Sequence, residues 1–327
     1  MILQKYAVRC AAGNSLPPLP APTPIRAASG GLALHTVVAL ALVLAFALAF
    51  VRPVQAQAQG QPQGQPQGQR AAPAVAGPTW ADLADLADPA ELVIRAKVKK
   101  QAALEPERAL GVAPGHARLY VEAETLALVS GSAAVGKDLR YLVDVPLTER
   151  GRAPKLRGEE VLLFARTVPA RPGAIQLVAP AAQLPWSEML EQRLRPILVA
   201  LAAPDAAPGI TGIRDALSVE GNLSGESETQ MFLSTRTGSP VSISVVRRPG
   251  QAPVWGVSYS EIVDQAVRAP APQTLGWYRL ACFLPRELPG AANLSSDPAA
   301  RALAARDYAF VVERLGPCPR TRTPPPG

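Results

Sequence analysis

From Leu32 to Val51 the chain is a run of Ala, Leu, Val and Phe interrupted only by His35 and Thr36. Residues 1–56 hold no Asp or Glu, and Lys5, Arg9 and Arg26 precede the run. A basic leader, an apolar stretch and small residues after it (Val54-Gln55-Ala56, Ala56-Gln57-Ala58) form a targeting segment rather than part of a fold. Two fates are open to it. Signal peptidase removes residues 1–56, or Arg52 blocks the cut and residues 32–51 remain as an inner-membrane anchor, long enough for a core of about 30 Å. The positive charges keep the leader cytoplasmic in either case. The body is therefore expected outside the cytoplasm, periplasmic or secreted, touching a membrane only through this segment. Cys10 lies upstream of the run and is no acylation site. Any globular fold has to come from the residues beyond position 56.

Residues 57–79 do not supply one. They are rich in Gln, Pro and Gly, with Gln-Pro-Gln-Gly at Gln61–Gly64 and again at Gln65–Gly68. Such a stretch cannot offset the entropy of ordering, and it reads as a flexible linker. Taking away residues 1–56 lowers the net charge from +7 to +3, with 29 basic residues against 26 acidic, and leaves two of the three Cys and one of the two His. The apparent basicity thus belongs largely to the targeting signal.

Beyond the linker the apolar pattern predicts an α+β body that is mostly β. Thr79 caps a short helix with Asp82 at its third position; Leu83 and Leu86 are three apart, Asp82, Asp85 and Asp88 fall between them, and Pro89 ends it. Five strands are expected at Leu92–Lys100, Arg118–Ser130, Leu139–Val145, Glu160–Val168 and Ala174–Ala179, making residues 80–184 a small antiparallel five-stranded barrel or sandwich. Residues 185–220 read as a helical connector, with Trp186, Leu190, Leu194, Ile197, Leu198 and Leu201 on one stripe, Pro196 forcing a kink or restart, and a further turn at Ile213–Leu217. Residues 221–320 read as a second small α+β module. In it, strands Gln230–Arg236 and Val241–Arg248 flank the turn Thr237–Pro240, Thr274–Leu284 is an aromatic-rich strand, and a helix starts at Asp297-Pro298. Tyr308–Leu315 fits helix or strand equally, and residues 321–327 read as a disordered tail.

Trp80–Val98, the Leu139–Val145 strand and Trp277-Tyr278-Arg279-Leu280-Ala281-Cys282 resemble uncharacterised exported bacterial proteins. The first module is similar in strand layout to OB-type or netrin-like barrels, although residues 147–158 offer a loop where an OB-type chain has a helix. Neither resemblance implies catalytic residues; the barrel likeness implies at most a protease-inhibitor-like module.

The motifs that could carry chemistry are few. Gly131–Lys137 matches GxxxxGK, but Asp138 stands where a phosphate loop needs Ser or Thr and a strand follows where it needs a helix, so a hairpin loop is expected. His116, in the turn Pro114-Gly115-His116, cannot make a metal site alone, and no GxSxG elbow provides a serine nucleophile. Arg150, Arg152, Lys155 and Arg157 form a basic stretch without interleaved aromatics, and residues 80–184 carry fourteen basic groups against thirteen acidic ones. A solvated loop is the reading, with no nucleic-acid partner. Glu122, Glu124, Asp144 and Glu159 are the candidate carboxylates for a secreted hydrolase, since i,i+2 spacing on a strand could set two carboxyls at a working distance. Cys282 and Cys318 are expected to form a disulfide outside the cytoplasm, contributing about 3–4 kcal/mol in the chain-entropy picture. The sequence points to an exported, non-enzymatic module binding an envelope protein or wall component, with no cofactor or metal. The hydrolase and the inhibitor-like module are the alternatives.

Overall fold

The computed structural model describes residues 77–260 and 268–325, all within one compact unit that starts at Gln69. The targeting run with Cys10, and the linker up to residue 76, lie outside the described residues. Among the described residues no helix is long and apolar enough to cross a membrane.

The body is α+β and mostly strands, built on two antiparallel sheets. The first contains β1 (Leu92–Ala103), β2 (His116–Ser130), β3 (Asp138–Pro146), β4 (Glu160–Thr167) and β5 (Ile175–Leu177), in the order β3-β2-β1-β4-β5, with β6 (Gln183–Pro185) also pairing β4. These are the five expected strands; β4 is buried continuously from Val161 to Ala165, while the expected inward positions of β1, β2 and β3 hold. Leu92, Ile94, Ala96 and Val98 of β1 are buried, as are Leu119 and Val121 of β2 and Leu139, Tyr141 and Val143 of β3. The sheet does not close into a barrel. Its edges meet at one parallel bridge, Arg140 to Ala174, where the Arg140 N–H donates to Gly173 O at 2.8 Å. They meet again where the Asp144 N–H donates to Pro180 O at 2.7 Å. Between these points no rung joins Leu142 to Gln176, so a seam stays open along one side. The GxxxxGK segment is the loop between β2 and β3. Its Gly131 has φ +130°, and a Cβ there would stand 2.7 Å from Glu91 O, so the close approach of the start of β1 accounts for this glycine.

The second sheet has the order β10-β9-β8-β7, with β7 at Ile210–Glu220, β8 at Ser227–Thr235, β9 at Ser242–Arg247 and β10 at Val254–Ser258. Three expectations change here. The helical connector ends with α2 (Glu188–Ala202), which runs through Pro196 as one element; Gln192, whose carbonyl loses its helical N–H partner to Pro196, is exposed to water. Ile213–Leu217 is no helical turn but part of β7; register shifts at Ile210/Gly212 and Ile213/Asp215 break the period-two pattern that marks a strand. Thr274–Leu284 is not a strand. It holds α3 (Leu275–Ala281), whose N-cap Thr274 accepts from the Trp277 N–H. Tyr308–Leu315 continues α4 (Pro298–Leu315), which opens on the expected Asp297 cap and ends at Gly316.

One helix joins the two halves. In α1 (Trp80–Ala87) the capping box forms as expected: the Asp82 N–H donates to Thr79 Oγ1 and the Thr79 N–H to Asp82 Oδ2. Every residue from Ala81 to Ala87 is buried, the acids included. Leu83 and Leu86 belong to the core, while the opposite, acidic stripe is sequestered by the chain's C-terminal third. Asp82 accepts from the Thr321 N–H and hydroxyl and from the Arg322 N–H. Asp85 accepts from the Tyr278 hydroxyl at 2.7 Å and from Arg320 Nε at 2.6 Å. Asp88 is held in a fork by Arg279 at 2.6 and 2.7 Å and by Arg236 at 2.6 Å. The expected tail at 321–327 is therefore tied down at Thr321 and Arg322, because α1 presents the Asp82 carboxylate to both.

Burial pushes the Asp82 and Asp88 carboxyls up, but the Thr321 and Thr79 hydrogen bonds at Asp82, and the Arg279 and Arg236 contacts at Asp88, more than offset it and hold both below the ordinary range. A carboxyl depressed on folding stabilises above its unfolded pKa of about 3.9 and loses that contribution as pH falls through the folded value. Thermal unfolding followed from pH 6 to pH 2 should show a steep drop below pH 4. The Asp82→Asn/Asp88→Asn variant should start lower and lose less across that window; parallel curves would exclude the two groups as its source.

Candidate functional site

The open seam is the floor of a groove of about 940 Å³. One wall comes from the outward residues of β2 and β3, which strand register brings opposite one another: Arg118 with Asp144, Tyr120 with Leu142, and Glu122 with Arg140. The other wall is the chain from Val168 to Pro180. Gly173 shapes that wall. Its φ is +77°, and a Cβ would sit 2.9 Å from Asp138 O, so only glycine lets the loop close against the start of β3.

The groove carries three guanidinium groups in different states. Arg118 is committed to Asp144 through two parallel bonds of 2.7 and 2.8 Å, the geometry that fixes both planar groups. Arg140 and Arg171 are exposed, and neither forms an ion pair with a described residue. Along β2 and β3, Tyr120 and Leu142 lie between the Arg118–Asp144 pair and Arg140, and they are 37% and 46% exposed. The Tyr141 phenol points inward and donates to Gln183 Oε1 at 2.7 Å; burial pushes its pKa up, so it remains a neutral donor. The arrangement offers two unneutralised cations over a partly apolar floor, suited to holding an anionic ligand by charge and surface contact. It offers no activated nucleophile.

The four carboxylates singled out from the sequence do not share this groove. Asp144 alone lines it, and Arg118 neutralises it. Glu122 pairs with Lys100 at 3.4 Å, and Glu124 with Lys99 at 2.5 Å and Lys137 at 3.6 Å. The Lys99 hydrogen bond, with the lysine charges, holds Glu124 below the ordinary carboxylate range, the wrong direction for a general acid at neutral pH. Glu122 is four residues along β2 from Arg118, roughly 13 Å at strand spacing. Glu159 is exposed just before β4, on the other side of β1 from β2. His116 is exposed, with Nδ1 3.1 Å from Pro114 O, and Arg150, Arg152, Lys155 and Arg157 lie in the loop between β3 and β4. Among the described residues no three metal-ligating side chains stand together.

Cys282 and Cys318 are joined, with Cα atoms 5.2 Å apart. No sequence motif singles out Tyr120, Arg140 or Arg171. The outward positions of β2 and β3 are readable from alternation, but the register that sets Tyr120 against Leu142 and the seam that brings Arg171 to the same groove are tertiary.

Comparison with protein-family models finds no match, and comparison with curated proteins finds no relative. The reading of the site rests on its geometry.

Proposed function

We propose that the chain is an exported, non-enzymatic binding module of the cell envelope, and that its groove takes an anionic segment of an envelope protein or wall component. The observation that carries this is the pair Arg140 and Arg171, both exposed and without an ion-pair partner among the described residues, lining one groove with the exposed Tyr120 and Leu142. The placement of the groove adds support. OB-type sheets bind ligands on the face of their second and third strands and on the loop between the fourth and fifth, and the walls here are β2, β3 and the connection from β4 to β5. The Cys282–Cys318 bond fits a protein that matures in an oxidising compartment.

Labelled poly-L-glutamate is a direct probe. It should bind at low ionic strength and release as salt shortens the reach of the two charges. Arg140→Glu/Arg171→Glu should weaken binding at least tenfold with an unchanged circular dichroism spectrum, while Arg150→Glu/Arg152→Glu in the β3–β4 loop should leave it within about twofold. Equal losses in the two variants would reduce the effect to net charge and remove the groove from the account.

A further inference from the structure

The C-terminal segment from Gly316 to Pro325 crosses the acidic stripe of α1 without helix or strand. None of its residues is fully buried; its packing is confined to Cys318 against the edge of the core and Arg320 over the Phe283 ring. Its attachments are the Cys282–Cys318 bond and hydrogen bonds from Arg320, Thr321 and Arg322. These reach Asp85, Asp82 and the Ala181 carbonyl. The packing beneath it is of a different kind. Leu275, Tyr278 and Leu280 of α3, and Tyr308, Val311 and Leu315 of α4, are all buried in the core, and the Trp277 indole N–H holds the end of α4 through Leu315 O at 2.8 Å. The covalent bond therefore fastens a strap that the core does not need. Both of its cysteines are only partly buried.

We infer that residues 316–325 form a thiol-dependent latch: reduction of Cys282–Cys318 frees the strap from α1 while both sheets remain folded. A dithiol supplies the electrons. Its thiolate attacks one cysteine sulfur, forming a mixed disulfide and expelling the other cysteine as thiolate. Its second thiol then displaces the first cysteine. The dithiol leaves as a cyclic disulfide, and Cys282 and Cys318 each end with one proton. The freed strap then keeps its polar contacts, which compete with water, and its loss uncovers the carboxylates of Asp82 and Asp85.

The strap carries its own reporters, because Arg320-Thr321 and Arg322-Thr323 are trypsin-cleavable bonds whose arginines are engaged only while the strap is docked. The full chain, oxidised, is digested with and without dithiothreitol, and C-terminal fragments are followed by mass spectrometry beside near-ultraviolet circular dichroism. Cleavage at these two bonds should rise at least tenfold on reduction, with the aromatic dichroism retained and protection restored by reoxidation. Cys318→Ser should cleave like the reduced protein without dithiothreitol. Equal cleavage rates in the two redox states would show that the carboxylate contacts alone hold the strap. Loss of the aromatic dichroism on reduction would make the bond a structural staple of the core. Either result overturns the latch.

Discussion

Asp88→Ala should destabilise the protein by about 3–5 kcal/mol, the range for removing one partner of a buried ion pair and leaving the other uncompensated. The group left behind is Arg279, whose side chain is only 6% exposed. Its Nε is already given to the Ala207 carbonyl at 3.0 Å, and the rest of the guanidinium has Asp88 as its ion-pair partner. The second partner of Asp88 serves as the internal control. Arg236 is half exposed, so Arg236→Ala lets Asp88 keep Arg279 and should cost less than about 1 kcal/mol, as exposed pairs do. Asp88→Asn, which keeps one acceptor and the side-chain shape, should fall between them. Urea denaturation with a constant m-value reads all three as shifts of the midpoint. If Asp88→Ala cost no more than Arg236→Ala, the acidic stripe of α1 would not be what fastens the second half of the molecule to the first.

The same stripe marks where sequence reading stops. Thr79, Asp82 and Pro89 announce α1 and its cap, and Leu83 and Leu86 announce one buried face. Three acids at i, i+3 and i+6 then read as the solvated side, because an amphipathic helix is ordinarily covered once. Here it is covered twice, and the second cover comes from Arg236, Tyr278, Arg279, Arg320, Thr321 and Arg322, about 150 to 240 residues away along the chain. No local pattern encodes that.

The first sheet was legible from alternation in some strands and from a short apolar run in another. β1 has Leu92, Ile94, Ala96 and Val98 inward with Arg95, Lys97 and Lys99 outward, whereas β4 is apolar and buried throughout from Val161 to Ala165. The second half obeys local rules less well. Bulges interrupt β7, and the aromatic residues of α3 carry β propensity that its packing overrides. Trp277 and Tyr278 face Trp80 across centroid distances of 6.2 and 5.7 Å, a contact with a residue almost two hundred positions earlier. The groove was half legible: its residue types stand on strands that the sequence identifies, while their assembly depends on register and on where the sheet fails to close.

Asp307 combines both lessons, and removing its partner Arg247 should have an effect as large as that of Asp88→Ala. It lies in the buried stripe Leu303, Ala304, Tyr308 and Val311 of α4 and is itself 0% exposed, a charged residue where helical spacing calls for an apolar one. Arg247 of β9 donates to its Oδ1 from Nε at 2.6 Å, and Thr229 of β8 donates its hydroxyl to Oδ2. A carboxylate only accepts, and Thr229 has one proton to give, so in the 2.9 Å contact between the Thr229 and Ser218 hydroxyls Ser218 is the donor. The network ties α4 to three adjacent strands. Arg247→Ala leaves the carboxylate buried without its cation and should cost about 3–5 kcal/mol. Asp307→Ala should cost somewhat less, because the Arg247 side chain is 30% exposed and can turn toward water. Removing both charges, as in Arg247→Met/Asp307→Leu, eliminates two desolvation penalties and should return most of the lost stability. A thermodynamic cycle by chemical denaturation separates the cases. A double variant as damaged as the sum of its singles would mean that the cost lies in packing volume rather than in the unpaired charge, and Asp307 would then fasten α4 by its shape alone.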